Sequence, residues 1–488
     1  MATLSSALNY ALAGLSVASS QSAILSRNVS SAGDENYARR SGEVSVLPSG
    51  LPVVARVTRS ADKLLLDRLL SSGSNASGQQ IIAEALNRIS SLTGDPEDDM
   101  SIASSIGRLQ QDLRSYESNP SSTVLARSVL KSAKMVAARL NTASADIASV
   151  RSEADKGMAI SAERVNNLLA QFKVLNDSVV RGQGTPDDLL ESLDQRDSVL
   201  KLLSEEIGIR TVMRPNNDIL IFAENGAVLF EGSPREVSFT ATSNLQPGLD
   251  GAELRIDGVT VTGDGAPMVL SSGKIAAYAK LRDSLAPMVS LQIDQIASGL
   301  IRAFSEDGPV GSPTLPAVEG LFKATGTVPA TSDMSEGIAG QIRINEMADP
   351  DQGGSLMMLR DGGFGGTAYV ENVLGQTGYQ LRIAELASLL DATQMFPDIG
   401  GLGGEMSLKT LSLQSISWIE ATRQDAQSSL DIAQATALRA SDSLGRVTGV
   451  NIDFEMAALM DLEKSYQASS KVLSVVDSML AILLEAVG

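Results

Sequence analysis

The sequence predicts a mainly α fold with an inserted β-rich domain (α+β). Its N- and C-terminal helices pair in a coiled-coil-like axial core that a helical shaft continues. Three observations predict this. Near the start, Leu4, Leu8, Ala11, Leu15, Ala18, Ser22, Leu25 and Val29 step by alternating fours and threes, and no charge appears before Arg27. Near the end, Leu459, Leu462, Tyr466, Ser469, Leu473, Val476, Leu480 and Leu483 repeat that spacing. Each run puts one small or apolar stripe on a helix, the seam that a partner helix needs. Between them the apolar period shortens to two around Asn225-Gly226 and Asp257-Gly258, the strongest short hairpin signals in a sequence. Two matching seams at opposite ends imply that the chain begins and finishes in one place, with its middle as an excursion.

In order along the chain, the first helix gives way to a polar break at Ser30–Asn36. A short extended segment follows at Glu43–Leu47, stopped by Pro48. Helical spacing is expected at 54–70, a Ser/Asn/Gly loop at 71–78, and helices at 80–92 and 101–116 around the acidic turn Asp95–Asp99. From Thr123 a very long helical pattern runs to about Gln171 or beyond, with Val124, Val129, Met135, Leu140, Ile147, Val150, Ile160 and Leu168 on its apolar face. Thr185-Pro186 followed by Asp187 and Asp188 is a helix start: a capping hydroxyl, Pro at the first helical position, and acids in the first turn. That helix should end at Gly208. Residues 209–270 form the β-rich stretch, and helix returns at 273–304. Residues 305–372 are loop-rich, with a short strand at Gln341–Ile344 and a flexible glycine run at Gly362–Gly366. Helices resume at 375–395, 406–444 and 452–486. The expected domains are therefore 1–40 with 450–488 as terminal coiled-coil helices, 41–208 with 375–449 as a helical shaft, and 209–374 as an inserted β-rich outer domain.

The 488 residues allow about three domains. The chain has no Cys and no His, which removes disulfides, thiol nucleophiles, thiolate metal sites and the commonest general base. A net charge of −19 argues against a nucleic-acid partner. The charge is uneven: residues 1–60 hold five Arg and three acids, a balance of +2, so the rest of the chain is strongly acidic. The first 26 residues are uncharged but too rich in Ser, Asn and Gln to span a membrane. They also lack the basic start of a secretory signal, so no membrane insertion and no cleaved signal are expected. Ser128-x-x-Lys131 lies inside a long helix without companion motifs, Asp95–Asp99 lacks the alternating ligands of a calcium loop, and Gly362–Gly366 has no Lys-Ser/Thr after it. No catalytic residue, cofactor or metal site is therefore expected.

Three short motifs carry a resemblance. Asn28-Val-Ser-Ser-Ala32 leading to Tyr37-Ala-Arg39-Arg40 is similar to the Asn-Ile-Ser-Asn-Ala…Gly-Tyr-Ser-Arg-Gln stretch of axial flagellar proteins. Gly449-Val-Asn451-Ile-Asp453, followed by Tyr466-Gln467-Ala-Ser, resembles their Gly-Val-Asn-Leu-Asp…Tyr-Gln-Ala-Asn signature. Leu193-Asp194-Gln195-Arg196-Asp197, after a long helix and before β structure, is characteristic of the hook-associated protein 1 family among them. Two departures stand out: Gly-Tyr is replaced by Asp34-Glu-Asn36-Tyr37, and Ser469-Ser470 stands where Asn is usual. The resemblance covers 1–270 and 405–488 well, and 305–400 poorly.

What the resemblance implies is a non-enzymatic structural subunit at the junction of bacterial hook and filament, exported by the type III route and located outside the cell on the flagellum. The implied partners are itself (a ring or helical oligomer), hook protein, a second hook–filament junction protein and a flagellar export chaperone. Terminal-seam residues Leu4, Leu8, Leu15, Leu25, Val29, Leu459, Leu462, Tyr466, Leu473, Val476, Leu480 and Leu483 are then expected at subunit interfaces. The alternatives are a hook or flagellin-type axial protein, or a secreted adhesin or enzyme acting through the β-rich insert.

Overall fold

The fold was analysed in a computed structural model that describes residues 2–93, 101–182, 184–263, 265–308, 315–329 and 336–487. Its spine is one helix, α4. In order, the chain forms α1 (Ala2–Ser30), hairpin β1 (Arg40–Val46) and β2 (Pro52–Arg59), then α2 (Lys63–Thr93), α3 (Ile102–Ser118), α4 (Thr123–Arg181) and α5 (Pro186–Glu206). Strands β3 (Ile209–Met213), β4 (Ile219–Ala223) and β5 (Val228–Phe230) make one antiparallel sheet. A second contains β6 (Val237–Ser238), β7 (Arg255–Ile256) and β8 (Val259–Thr260). Then come α6 (Gly273–Lys280), α7 (Ala286–Ala303), β9 (Phe322–Lys323), β10 (Arg343–Ile344), α8 (Met358–Asp361), α9 (Leu381–Leu389), hairpin β11 (Gln394–Ile399) and β12 (Leu402–Met406), α10 (Leu408–Thr448) and α11 (Ile452–Val487). The class is the expected one, mainly α with a β-containing middle and paired terminal helices.

Helix α4 has 59 residues, about 88 Å of rise, opened by the Ser122 side chain accepting from Leu125 N–H and closed by Gly182 at φ 61°. Two hydrophobic cores lie along it. One gathers α2, α3, the first half of α4, α7, α9 and the first part of α10 around Leu113, Val136, Leu140, Ile296 and Leu411. The other packs the second half of α4 and α5 under both β3–β8 sheets, with Phe172 edge-on to Phe230 at 4.9 Å. Helix α7 sits in the helical packing beside α4 and α10, whereas α6 packs on α2 and α4 and reaches both cores, with Ala277 in the first and Ile275 in the one under the sheets. A π-helical turn at Leu281–Leu285 precedes Pro287, whose ring and missing N–H an uninterrupted α-helix would not accommodate.

Both hairpins form where Asn225-Gly226 and Asp257-Gly258 place them, with Gly226 and Gly258 at positive φ. The Thr185 capping box is complete, with the Thr185 and Asp188 side chains each bonding the other's N–H.

Four local expectations are corrected. Residues 52–59 are strand, because Val53, Val54, Val57 and Thr58 pair with β1; helix begins at Lys63. Residues 71–78 are helical within α2, since tertiary packing overrides their composition. A Cβ at Gly78 would stand 3.1 Å from the Gly273 carbonyl, and Ser74 bonds Ser272 at 2.8 Å, so these small residues let α6 approach closely. The 375–395 helix is confined to Leu381–Leu389. Gln394 onward turns into a hairpin because Phe396 inserts beside Gly299 of α7, where a Cβ would stand 3.0 Å from its ring.

The glycine run is not a free loop. Gly363 and Gly365 N–H groups donate to the buried Glu306 carboxylate at 3.1 and 3.2 Å, and Arg382 bonds the same carboxylate at 2.7 Å. The expected acidic turn at 95–99 lies outside the described residues. Among the described residues, no helix is long and apolar enough to cross a membrane.

Candidate assembly interface

Helices α1 and α11 run antiparallel: Asn28 meets Glu455, and Gly14 meets Ser469. The two sequence seams face each other inside one chain. Ala11, Ala18 and Val476 are buried between the helices. Leu4, Leu8, Leu15, Leu25, Val29, Leu459, Leu462, Leu473 and Leu480 are partly buried, and Tyr466 remains 49% exposed. The side chain of Leu483 is outside the described residues. The β1–β2 hairpin lies against the next face of α1, with Val54 and Ile24 meeting at Gly42. Helix α1 is thus clasped on two sides, and α11 on one.

A second apolar stripe on α11 has no partner among the described residues. From Ala468 the positions Val472, Val475, Met479 and Ile482 again step by fours and threes, and these four side chains are 49, 53, 52 and 66% exposed. Sequence reading missed this stripe because the first seam already accounted for an amphipathic helix.

The three motifs, far apart in sequence, meet at the base of this helix pair. Asn28 is fully buried and uses its whole amide. Its Nδ2 donates to the Arg40 carbonyl at 2.9 Å and to Glu455 Oε2 at 3.0 Å; its Oδ1 accepts from Tyr37 Oη at 2.8 Å and Arg40 N–H at 3.0 Å. Arg39 Nε donates to Glu455 Oε1 at 2.5 Å, and its guanidinium lies 5.2 Å from the Phe454 ring centre. Asn451 starts α11 by accepting from Phe454 N–H at 3.1 Å.

From the other side, α5 presents Asp187, Asp194 and Asp197. Arg59 bonds Asp194 at 2.8 Å and Asp197 at 2.6 Å, Arg40 stands 3.6 Å from Asp194, and Arg27 pairs with Asp187 at 2.6 Å. Burial pushes the Asp194 carboxyl up against the pull of Arg59 and Arg40. Burial also tends to lower Arg59, but Asp197 and Asp194 outweigh it and hold its guanidinium above the usual range. Arg196, on the opposite face, serves the sheet: it donates to the Asn217 carbonyl at 2.6 Å and Asn176 at 3.1 Å. Burial lowers its pKa to about 10. Leu193 is partly buried beside this charged face. Gln195 and Gln467 are exposed and bond only their own helices, at Glu191 and Glu463. The joint residues that sequence reading missed, Arg27, Arg59, Asp187 and Glu455, carried no local signal. An acid in a helix's first turn is ordinary, and only folding shows that Glu455 is 0% exposed.

The profile described as "Flagellar hook-associated protein FlgK helical domain" matches residues 86–307, and that described as "Flagellar basal body rod FlgEFG protein C-terminal" matches 446–486. Flagellar hook-associated protein 1 of Salmonella typhimurium is 22% identical over 258 residues, half of this chain and 46% of that protein. Over these stretches the chain is similar to flagellar hook-associated protein 1. Its Escherichia coli K12 relative is 21% identical over 322 residues, 63% of this chain and 58% of its own. Among solved structures, the flagellar hook junction protein FlgK from Burkholderia pseudomallei shares the fold with a TM-score of 0.58 at 11% identity, covering 77% of this chain and 99% of that one. Matches to the curated family members thus span about half of their length. The rod-protein profile falls on the end of α10, the joint and α11, so the shared sequence lies where the chain ends are tied together.

Proposed function

We propose that the chain is a structural subunit of the bacterial flagellum at the junction of hook and filament, polymerising through α11 against other copies of itself. The observation that carries this is the second stripe, Val472, Val475, Met479 and Ile482. Four aliphatic side chains at heptad spacing, left in water by the chain's own α1, form the seam of a further helix. The first seam has a different role in this reading, holding α1 and α11 together so that the stripe is presented. The proposal extends to hook protein and a second junction protein as neighbours, type III export with a chaperone, and an extracellular position on the flagellum, supported by the similarity to flagellar hook-associated protein 1. A purely structural role fits the unbroken packing of the body. We further propose that α1, β1–β2 and α11 form the axial part, α2–α5 with α6, α7, α9 and α10 the wall, and the β3–β8 sheets an outward layer.

The test is assembly. Val475→Asp with Met479→Asp places two carboxylates in the proposed contact without touching the α1 seam. The variant should fold with unchanged helicity but be absent from hook–basal bodies on immunoblotting, and its strain should show hooks without filaments by electron microscopy. Normal incorporation, or intact filaments in a strain lacking the gene, would overturn the reading.

A further inference from the structure

The terminal part and the body share no hydrophobic core. Among the described residues, neither core cluster contains a residue before Leu70 or after Leu430, and only Leu66 is packed against one from outside that range. Two covalent crossings link the parts: Ser60–Asp62 between β2 and α2, and Gly449–Asn451 between α10 and α11. The backbone of Arg39 ties them side by side. Its N–H donates to the Thr448 carbonyl at 2.7 Å, and its carbonyl accepts from Ser60 N–H at 2.8 Å. Two crossings pinned at one residue define an axis.

Away from that axis the contacts are charged. Arg27, Arg40 and Arg59 of the terminal part face Asp187, Asp194 and Asp197 of α5, and Asn36 accepts from Lys201 at 3.2 Å. Beneath them is a cleft of about 1100 Å³ lined by the 31–38 loop, Arg59, Asp194, Arg196, Leu200 and the Leu444–Asp453 stretch, where a fixed interface would have apolar filling. Buried Arg40 Nε and Arg196 Nε lack a hydrogen-bond partner among the described residues.

We infer that this joint is a hinge with an electrostatic latch: the α1/α11 rod pivots at Arg39, and the contacts of three Arg with three Asp on α5 hold one rod angle. The argument uses only the joint and does not depend on which neighbours the rod meets. Removing charge from α5 leaves Arg40 and Arg59 facing neutral amides in a half-buried site and releases the latch without cutting the axis.

The absence of native Cys allows clean spin-label pairs on the full chain. One pair, Ser465→Cys with Ser429→Cys, spans rod and body; the other, Ser5→Cys with Ser465→Cys, lies within the rod. All three positions required are exposed. In the native background both distance distributions should be narrow. In Asp194→Asn/Asp197→Asn the rod–body distribution should widen at least twofold while the intra-rod distribution stays narrow. The milder Asp187→Asn, which touches only the outer Arg27 and Arg40 contacts, should widen it less. An unchanged rod–body distribution in both variants overturns the proposal. So does equal widening of the two pairs, which would mean that the rod itself has come apart.

Discussion

The body around α4 and the rod of α1 and α11 are both mainly helical, yet they are held in opposite ways. In the body, long side chains such as Leu113, Leu140, Phe172 and Leu200 are removed from water completely. In the rod the fully covered seam positions are Ala11, Ala18 and Val476, and the best-buried groups at its base are polar, Asn28 and Glu455. Burial stabilises by about 25 cal/mol per Å² of apolar surface, so alanine seams contribute a fraction of what leucine and phenylalanine layers do. The body is therefore complete as a single chain. The rod is registered by a polar knot and leaves an apolar stripe for others. A subunit that polymerises through its ends gains from this division, because the surface that must be free for neighbours cannot also hold the monomer together.

Three perturbations would break or sharpen this contrast. The largest effect is expected from Phe172→Ala, which empties a site that is 0% exposed and faces Phe230. It should lower the denaturation free energy of the body by about 4 kcal/mol, read from the midpoint shift in urea. It should not change hydrogen exchange in α11. Loss of α11 protection would show that rod and body are one cooperative unit.

The second concerns pH. Asp294 of α7 accepts from the Gly337 and Ala339 N–H groups at 2.8 Å, and burial pushes its pKa from 3.8 up to about 6. The folded state then holds this proton more tightly than the unfolded chain. Its contribution is full below pH 4 and lost as pH rises through 6, by at most about 3 kcal/mol. Asp294→Asn should remove that part of the pH dependence between 4 and 6 in denaturation curves of the body. Identical slopes in the two proteins would exclude Asp294 as its source.

The third is the knot itself. Asn28→Ala removes four hydrogen bonds and leaves buried Glu455 Oε2 without the Asn28 donor, while Oε1 keeps Arg39, costing about 2 kcal/mol. The cost should appear as faster exchange in 20–30 and 452–462, with the urea midpoint of the body unmoved. A shifted body midpoint with unaltered exchange at both ends would invert the comparison.

Legibility in the sequence followed the range of the forces involved. Turn and cap signals were read correctly, although Val124 and Ile160, expected on the apolar face of α4, are 73 and 67% exposed. Asn225-Gly226 and Asp257-Gly258 turn because their backbones need positive φ, the Thr185 box caps, and α4 is continuous because nothing in 123–181 interrupts it. Apart from 52–59, which pairs with the adjacent β1, the errors came where a distant partner outweighed local preference. The Ser/Gly stretch at 71–78 is helical because α6 must approach it, and Gly362–Gly366 is ordered because Glu306, more than 50 residues earlier, needs N–H donors.

The heptad spacing of both ends was in the sequence alone, and with it their pairing, since period and apolar content are properties of a single helix. Which face of α11 meets α1, and which stays open, depended on the antiparallel register that Asn28 and Glu455 set across 427 positions of chain. The same holds for the joint. Each motif could be recognised by itself, but that Arg40, with Arg27 and Arg59 from outside its motif, would land on Asp187, Asp194 and Asp197 of α5 is a matter of charges brought within about 4 Å, a distance that exists only once the chain has folded.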